Sequence, residues 1–205
     1  MGKVAIREYE RSESIVFLKT NEEFGGLSNM AGGFPLFVNG QKILTSEALY
    51  QACRFPHLPD VQRLIIAQTS PMTAKMRSKP FRSDSRPDWL RTRVRIMRWC
   101  LRAKLLQNWD NFSKLLLKTK SLPIVEQSSK DKFWGASPSE HHNLIGANVL
   151  GRLLMELRED VMLNQFDRYE LAALDIQDFL LYGQPIKSIT LADVVASPEN
   201  RPLFD

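Results

Sequence analysis

A chain of 205 residues, 43% of them hydrophobic, can pack a core and suits one domain with room for a small appendage. Its 28 Lys and Arg against 23 Asp and Glu leave a net charge of +5, which tolerates phosphate-bearing partners without identifying one. Two cysteines, Cys53 and Cys100, without CxxC spacing indicate neither a zinc site nor a disulfide framework, and no apolar run approaches the ~18 residues of a membrane-spanning helix.

The first ten residues are charged rather than apolar, so no signal peptide is expected and the compartment reads as a reducing cytoplasm. Residues 14–19 (SIVFLK) read as a strand. Residues 34–38 and 41–44 flank Asn39-Gly40, a pair that accepts the positive φ angles of a type I′ turn and so predicts a hairpin. Gly25-Gly26 and Gly32-Gly33 mark loops. Thr45 or Ser46 caps a helix running to about Phe55, and Ser70-Pro71 starts a short helix through Met76. The longest helix is predicted over 88–107, with Leu90, Val94, Met97, Leu101 and Leu105 as its core stripe. A helix over 110–119, a short strand over 124–126 and a helix over 148–161 follow. The tail, about 165–205, reads as one further helix ending near Gly183 and then irregular segments. The expected fold class is α+β: a mainly helical domain over 1–161 with a few short early strands, and a C-terminal helical extension over 162–205.

Several groupings have the residue types of a site. Glu47, Gln51 and Arg54 fall at i, i+4 and i+7 and share one helix face, where they either orient a sugar and a phosphate or form an ordinary solvated face. Lys75 is a nucleophile or base if held in a dry pocket, and otherwise a surface lysine. In residues 130–135 (KDKFWG), Trp134 is suited to stacking on a nucleobase and Asp131 to activating water, while a turn anchored by its aromatics is the alternative. Arg91, Arg95, Arg98 and Arg102 line one stripe of the longest helix and suit either nucleic-acid phosphates or bridges to carboxylates. His57, His141 and His142 lack metal-site spacing, and no G-x-S-x-G supports a serine triad.

In order along the chain stand Glu23-Phe24-Gly25-Gly26-Leu27-Ser28-Asn29, Thr45-Ser46-Glu47 with Tyr50-Gln51-Ala52 and Phe55, and Ser70-Pro71-Met72. Leu101-Arg102-Ala103-Lys104, Asp131 with Trp134-Gly135, and Asn148 with Leu150-Gly151 and residues 154–158 (LMELR) follow. Together these resemble the NADAR (YbiA-like) family over roughly 14–159. The resemblance implies an N-glycosidase acting on a ribose joined to nitrogen, without metal or cofactor. It implies Lys75, Glu47 and Asp131 as catalytic residues, with Lys75 attacking the anomeric carbon, Glu47 acting as acid–base or holding the ribose hydroxyls, and Asp131 assisting water or orienting Lys75. Phe24 and Trp134 are implied to stack on a base, and Ser28, Asn29, Arg54 and Asn148 to hold phosphates and ribose, with Gly26, Tyr50, Gly135 and Gly151 completing the substrate site. One branch of the family resembles hydrolases of riboflavin-pathway intermediates. The other resembles enzymes that remove ADP-ribose from guanine in nucleic acid, opposite an ADP-ribosyltransferase toxin. Ala48-Leu49-Tyr50, Arg54 and Ala74-Lys75-Met76 make this chain look closer to the second branch. The expected partners are therefore ADP-ribosylated DNA or RNA and a cognate toxin, with a non-catalytic ADP-ribose-binding module as the alternative.

Overall fold

The computed structural model describes residues 4–140 and 143–190. In chain order its strands and α-helices are β1 (Arg7–Tyr9), β2 (Ile15–Phe17), β3 (Leu36–Val38), β4 (Gln41–Ile43), α1 (Ser46–Ala52), α2 (Pro59–Ile66), α3 (Pro71–Ser78), α4 (Trp89–Gln107), α5 (Trp109–Lys118), β5 (Ile124–Glu126), β6 (Ser137–Pro138), β7 (Leu144–Gly146), α6 (Val149–Met162), β8 (Glu170–Leu171), β9 (Leu180–Leu181), β10 (Gln184–Pro185) and β11 (Ile189–Thr190). Six α-helices and short paired strands make an α+β fold, as expected. None of the described helices is long and apolar enough to cross a membrane.

The chain forms two compact units. Among the described residues, the first joins 4–31 to those within 110–166, and the second joins Gly32–Trp109 to 167–190. In the first unit β7 pairs antiparallel with both β1 and β6, while β2 pairs parallel with β5. Tyr9, Val125, Ala136 and Leu144 form a buried cluster there, with Val16 packed against it. α6 lies against β5. That approach requires Gly151, since a Cβ at this position would stand 2.1 Å from the Ile124 carbonyl oxygen.

In the second unit the β3–β4 hairpin turns through Asn39 (φ 50°) and Gly40 (φ 73°), the positive-φ pair of a type I′ turn. The Thr45 hydroxyl accepts the Ala48 N–H and caps α1, and Ser70 with Pro71 starts α3. Helices α1, α2 and α3 pack on one another, and α4 packs on α1 and β3.

Two expectations need correction. On α4 the buried stripe includes Met97, Leu101 and Leu105, but Leu90 is 60% exposed and Val94 only half-buried. The inward face is centred instead on Ile96, Trp99, Cys100 and Ala103, spaced i, i+3, i+4 and i+7. The helix expected to end near Gly183 is also absent from the described residues, where β8 to β11 form two antiparallel pairs. The Asp167 carboxylate accepts the N–H groups of Tyr169 and Glu170, a local turn that competes with helix formation. Phe179 and Trp99 meet edge to face at 5.0 Å, and the Trp99 indole N–H donates to the Ala172 carbonyl. These tertiary anchors outweigh the helical periodicity of the segment.

Candidate functional site

The sequence-predicted residues divide between the units. Glu47, Tyr50, Arg54 and Lys75 belong to the second; Phe24, Gly26, Ser28, Asn29, Asp131, Trp134, Gly135, Asn148 and Gly151 belong to the first.

In the second unit, α1 buries both its apolar and its polar face. Glu47 is 5% exposed, so the face read as solvated or sugar-binding is an interior one. The i, i+4 spacing lets the Gln51 amide donate to Glu47 Oε1 at 2.9 Å. The Gln51 Oε1 in turn lies 3.1 Å from the Ser78 hydroxyl, which also donates to the Lys75 carbonyl at 2.7 Å. A polar chain thus runs from the Glu47 carboxylate across α1 to the last turn of α3, one turn beyond Lys75. The Lys75 side chain is half-buried. Tyr50 is buried at 5.0 Å from the Trp89 ring; burial, with the Glu47 charge adding, pushes its hydroxyl well above the ordinary phenol range and keeps it a neutral donor. Cys53 and Cys100 are free and buried, and burial likewise pushes the Cys100 thiol up, so it has little thiolate character.

Lys104, which the sequence reading quoted only within a motif, has the most displaced amine of the unit. It is 0% exposed, its Nζ stands 4.4 Å from the centre of the Phe34 ring, and burial lowers its pKa to about 7. The signal that points to it is positional: a lysine between Leu101 and Leu105 on the buried side of α4 is out of place in a helix whose core stripe is apolar.

In the first unit Asp131 Oδ1 accepts the N–H groups of Phe133 and Trp134, both at 3.0 Å, and so shapes the turn that presents Trp134. Trp134 packs edge to face on Phe133. Gly135 lies where a Cβ would come 2.5 Å from the Glu126 carbonyl oxygen. Asn148 is 0% exposed, adopts the left-handed conformation at the start of α6, and clamps β5: its Oδ1 accepts the Glu126 N–H and its Nδ2 donates to the Ile124 carbonyl. These bonds give Asn148 and Gly151 roles in joining α6 to β5. Ser28 and Asn29 are buried, and Gly26 and Phe24 are half-buried; the Lys118 ammonium stands 5.8 Å from the Phe24 ring centre. His141 and His142 lie outside the described residues. Of the α4 arginines, Arg91 and Arg95 are exposed, and Arg95 donates to the Asp175 carbonyl.

The fold and this set of residues place the chain in a known class. The NADAR domain matches residues 16–162. The N-glycosidase YbiA of Escherichia coli is 33% identical over 74% of this chain and 90% of its own length. An N-glycosidase of Nostoc punctiforme is 31% identical over 72% of this chain and 92% of its own length. A riboflavin biosynthesis protein of Vibrio vulnificus is 32% identical over 76% of this chain, which corresponds to 41% of that protein. The NMR structure of Escherichia coli YbiA superposes with a TM-score of 0.63 at 32% identity, covering 78% of this chain and 91% of the other. The chain belongs to the NADAR domain family, and it is an N-glycosidase, a hydrolase of N-glycosyl bonds.

Proposed function

We propose that this N-glycosidase removes ADP-ribose from guanine bases of nucleic acid, in a cytoplasmic antitoxin or defence role opposite an ADP-ribosyltransferase toxin. The observation that carries the reading is the buried Glu47 carboxylate, bonded to Gln51 and through it linked to Ser78, in a member of this family. Beside it, Lys75, Arg77, Lys79 and Arg82 follow one another along α3 and the turn after it, with Arg77, Lys79 and Arg82 exposed. Such a basic run suits a polyanionic substrate.

Cleavage breaks the bond between the anomeric carbon and the base nitrogen and builds positive charge on the sugar. Glu47 delivers a proton to the departing base. An amine attacks the anomeric carbon and gives its proton to the Glu47 carboxylate left by that transfer; Glu47 then returns the proton to the ring oxygen as the bond between it and the anomeric carbon breaks, which opens the ribose to an imine. Water then adds to the imine carbon, regenerating the amine and releasing the sugar. Lys75 is the amine that the family resemblance implies. Lys104 is the one whose environment favours the neutral, nucleophilic form near pH 7. A second reading, cleavage of ribosylamino riboflavin-pathway intermediates, draws support from the riboflavin biosynthesis relative.

The test is incubation with guanine-ADP-ribosylated DNA, single-stranded and duplex, and in parallel with a 5-phosphoribosylamino pyrimidine. Release of ADP-ribose, faster from the single strand because the base needs no extrusion from a stack, is expected. Turnover of the pyrimidine alone would overturn the proposal in favour of the second reading. Borohydride added during turnover, followed by peptide mapping, tells Lys75 from Lys104.

A further inference from the structure

The reaction asks the buried Glu47 carboxyl to give up, regain and give up a proton within one turnover, and its two forms need different neighbours. An ionised carboxylate only accepts hydrogen bonds, whereas a protonated one also donates. The neighbour is the Gln51 amide, whose Nε2 stands 2.9 Å from Glu47 Oε1 and whose Oε1 stands 3.1 Å from the Ser78 hydroxyl. All three side chains are buried, Ser78 at 1% exposure. The Ser78 hydroxyl has a second acceptor in reach, the Lys75 carbonyl at 2.7 Å. That carbonyl draws on it because α3 tightens at its end. The Lys79 N–H bonds to the Met76 carbonyl, three residues back, where a continuing α-helix would carry it four back to Lys75. One hydroxyl proton thus faces two acceptors.

We propose that Gln51 is a reversible adaptor between the two forms of Glu47, and that Ser78 is the positioning residue that permits its reversal. A half-turn about the bond to the amide carbon exchanges the amide oxygen and nitrogen and leaves the other atoms in place. With Glu47 ionised, the amide nitrogen donates to the carboxylate and the Ser78 hydroxyl donates to the amide oxygen. With Glu47 protonated, the carboxyl donates to the amide oxygen, the amide nitrogen donates to the Ser78 oxygen, and the Ser78 proton turns to the Lys75 carbonyl. A hydroxyl is donor and acceptor at once and satisfies both arrangements. A buried side chain able only to donate or only to accept would hold the acid in one form, since the other would leave a polar group unpaired. Helices α2, α3 and α4 and strand β4 pack on α1 and bring the other ionisable groups. The Glu47 charge bears on Tyr50 of its own helix and on Cys100 of α4, and burial keeps both neutral. Arg54 and Arg93 bear on Tyr50, and Lys104 faces the Phe34 ring. On α3 the Lys75 side chain is half-buried and Arg77 exposed; Asp60 and Arg63 of α2 pair with each other at the surface, and Lys42 of β4 is exposed.

The inference rests on Glu47 as the proton carrier, and the experiment separates the two. Single-turnover rates are measured on guanine-ADP-ribosylated single-stranded DNA and on the 5-phosphoribosylamino pyrimidine. Ser78→Ala should lower the maximal rate roughly tenfold, the scale of one hydrogen bond, at an unchanged half-saturating enzyme concentration. Ser78→Thr, which keeps the hydroxyl, should restore it. Gln51→Met should lower the rate at least as far, and adding Ser78→Ala to it should cause no further loss, because Ser78 acts only through the amide. The same loss from Ser78→Ala with and without Gln51, or a folded Ser78→Ala protein at full rate, overturns the adaptor. Should Ser78→Ala fail to fold, Ser78→Cys, a weak donor and weak acceptor, takes its place. Neutron diffraction from crystals of the unaltered protein at about pH 5 and about pH 9 decides without turnover, because it tells amide nitrogen from oxygen and locates the Ser78 deuteron. The amide is expected to present its oxygen to Glu47 at the lower pH and its nitrogen at the higher; its nitrogen facing Glu47 at both overturns the adaptor. A Glu47→Gln protein at full rate overturns the acid, and reversal in the neutron maps would still leave the adaptor standing.

Discussion

The two units put their buried polar groups to different uses. In the first, these groups bond mainly to the backbone. Asn148 bonds to both neighbours on β5, Arg158 donates to the Leu122 carbonyl and the Thr119 hydroxyl, and Asp131 caps its own turn. In the second, Gln62 and Arg86 also serve the backbone, but other side chains bond to one another, as in Glu47–Gln51–Ser78, or face aromatic rings, as half-buried Arg54 and buried Lys104 do. A buried side chain satisfying main-chain groups holds the fold together, whereas a carboxylate and an amine kept in a dry interior are costly there and suited to chemistry. The contrast teaches that Asn148 and Asp131 of the first unit are engaged with the backbone, while Glu47 and Lys104 of the second sit in surroundings suited to chemistry.

The largest expected effect tests the second unit. Glu47→Gln keeps the shape and the hydrogen bond to Gln51 while removing the acid. It should lower the single-turnover rate roughly 10²- to 10⁴-fold with a nearly unchanged melting temperature. A rate within threefold of the unaltered protein would remove Glu47 from the chemistry. On the first unit, Asn148→Ala leaves the Glu126 N–H and the Ile124 carbonyl without their side-chain partners and should destabilise by about 2–6 kcal/mol in urea unfolding, at about 1–3 kcal/mol for each of the two buried groups. The fraction that stays folded should turn over at the normal rate; a fall in kcat at unchanged stability would break the contrast.

Lys104→Met sharpens the comparison through pH. The folded-state pKa of about 7 lies below the ordinary lysine value of 10.5, so at pH below 7 the folded protein carries a buried charge that the unfolded chain holds in water. That penalty shrinks as the pH rises from about 7 toward 10.5, where both states are neutral. The variant should therefore gain stability over the unaltered protein, by up to a few kcal/mol at pH 6 and by progressively less toward pH 10, in thermal melts across that range. A gain independent of pH would show that Lys104 is not ionised inside the fold. Loss of turnover alongside the gain would place Lys104 among residues retained for function at a cost in stability.

Much of this was legible in the chain. Asn39-Gly40 pointed to its hairpin because two adjacent positive φ angles are what that pair tolerates, and Thr45, Ser70 and Pro71 marked helix starts by their own donors and acceptors. The face carrying Glu47, Gln51 and Arg54 followed from helical spacing. Its burial did not, since periodicity tells which residues share a face and not what covers it. The second hairpin, between β9 and β10, turns through Tyr182 (φ 53°) and Gly183 (φ 76°), the same geometry as at Asn39-Gly40. A tyrosine gives no turn signal, and the segment read as a helix. What holds it open is Gln62, which donates to the Leu180 carbonyl and accepts the Tyr182 N–H from a position 120 residues away in sequence.

The amino-acid order by itself determined the family, the α+β class, most helix starts and the candidate acid, because each depends on local chemistry or on motifs in sequence. The tertiary structure alone decided which lysine is buried, which polar side chains clamp the backbone, and how the segment after α6 folds. Desolvation and long-range hydrogen bonds depend on neighbours that the chain brings together only when it folds.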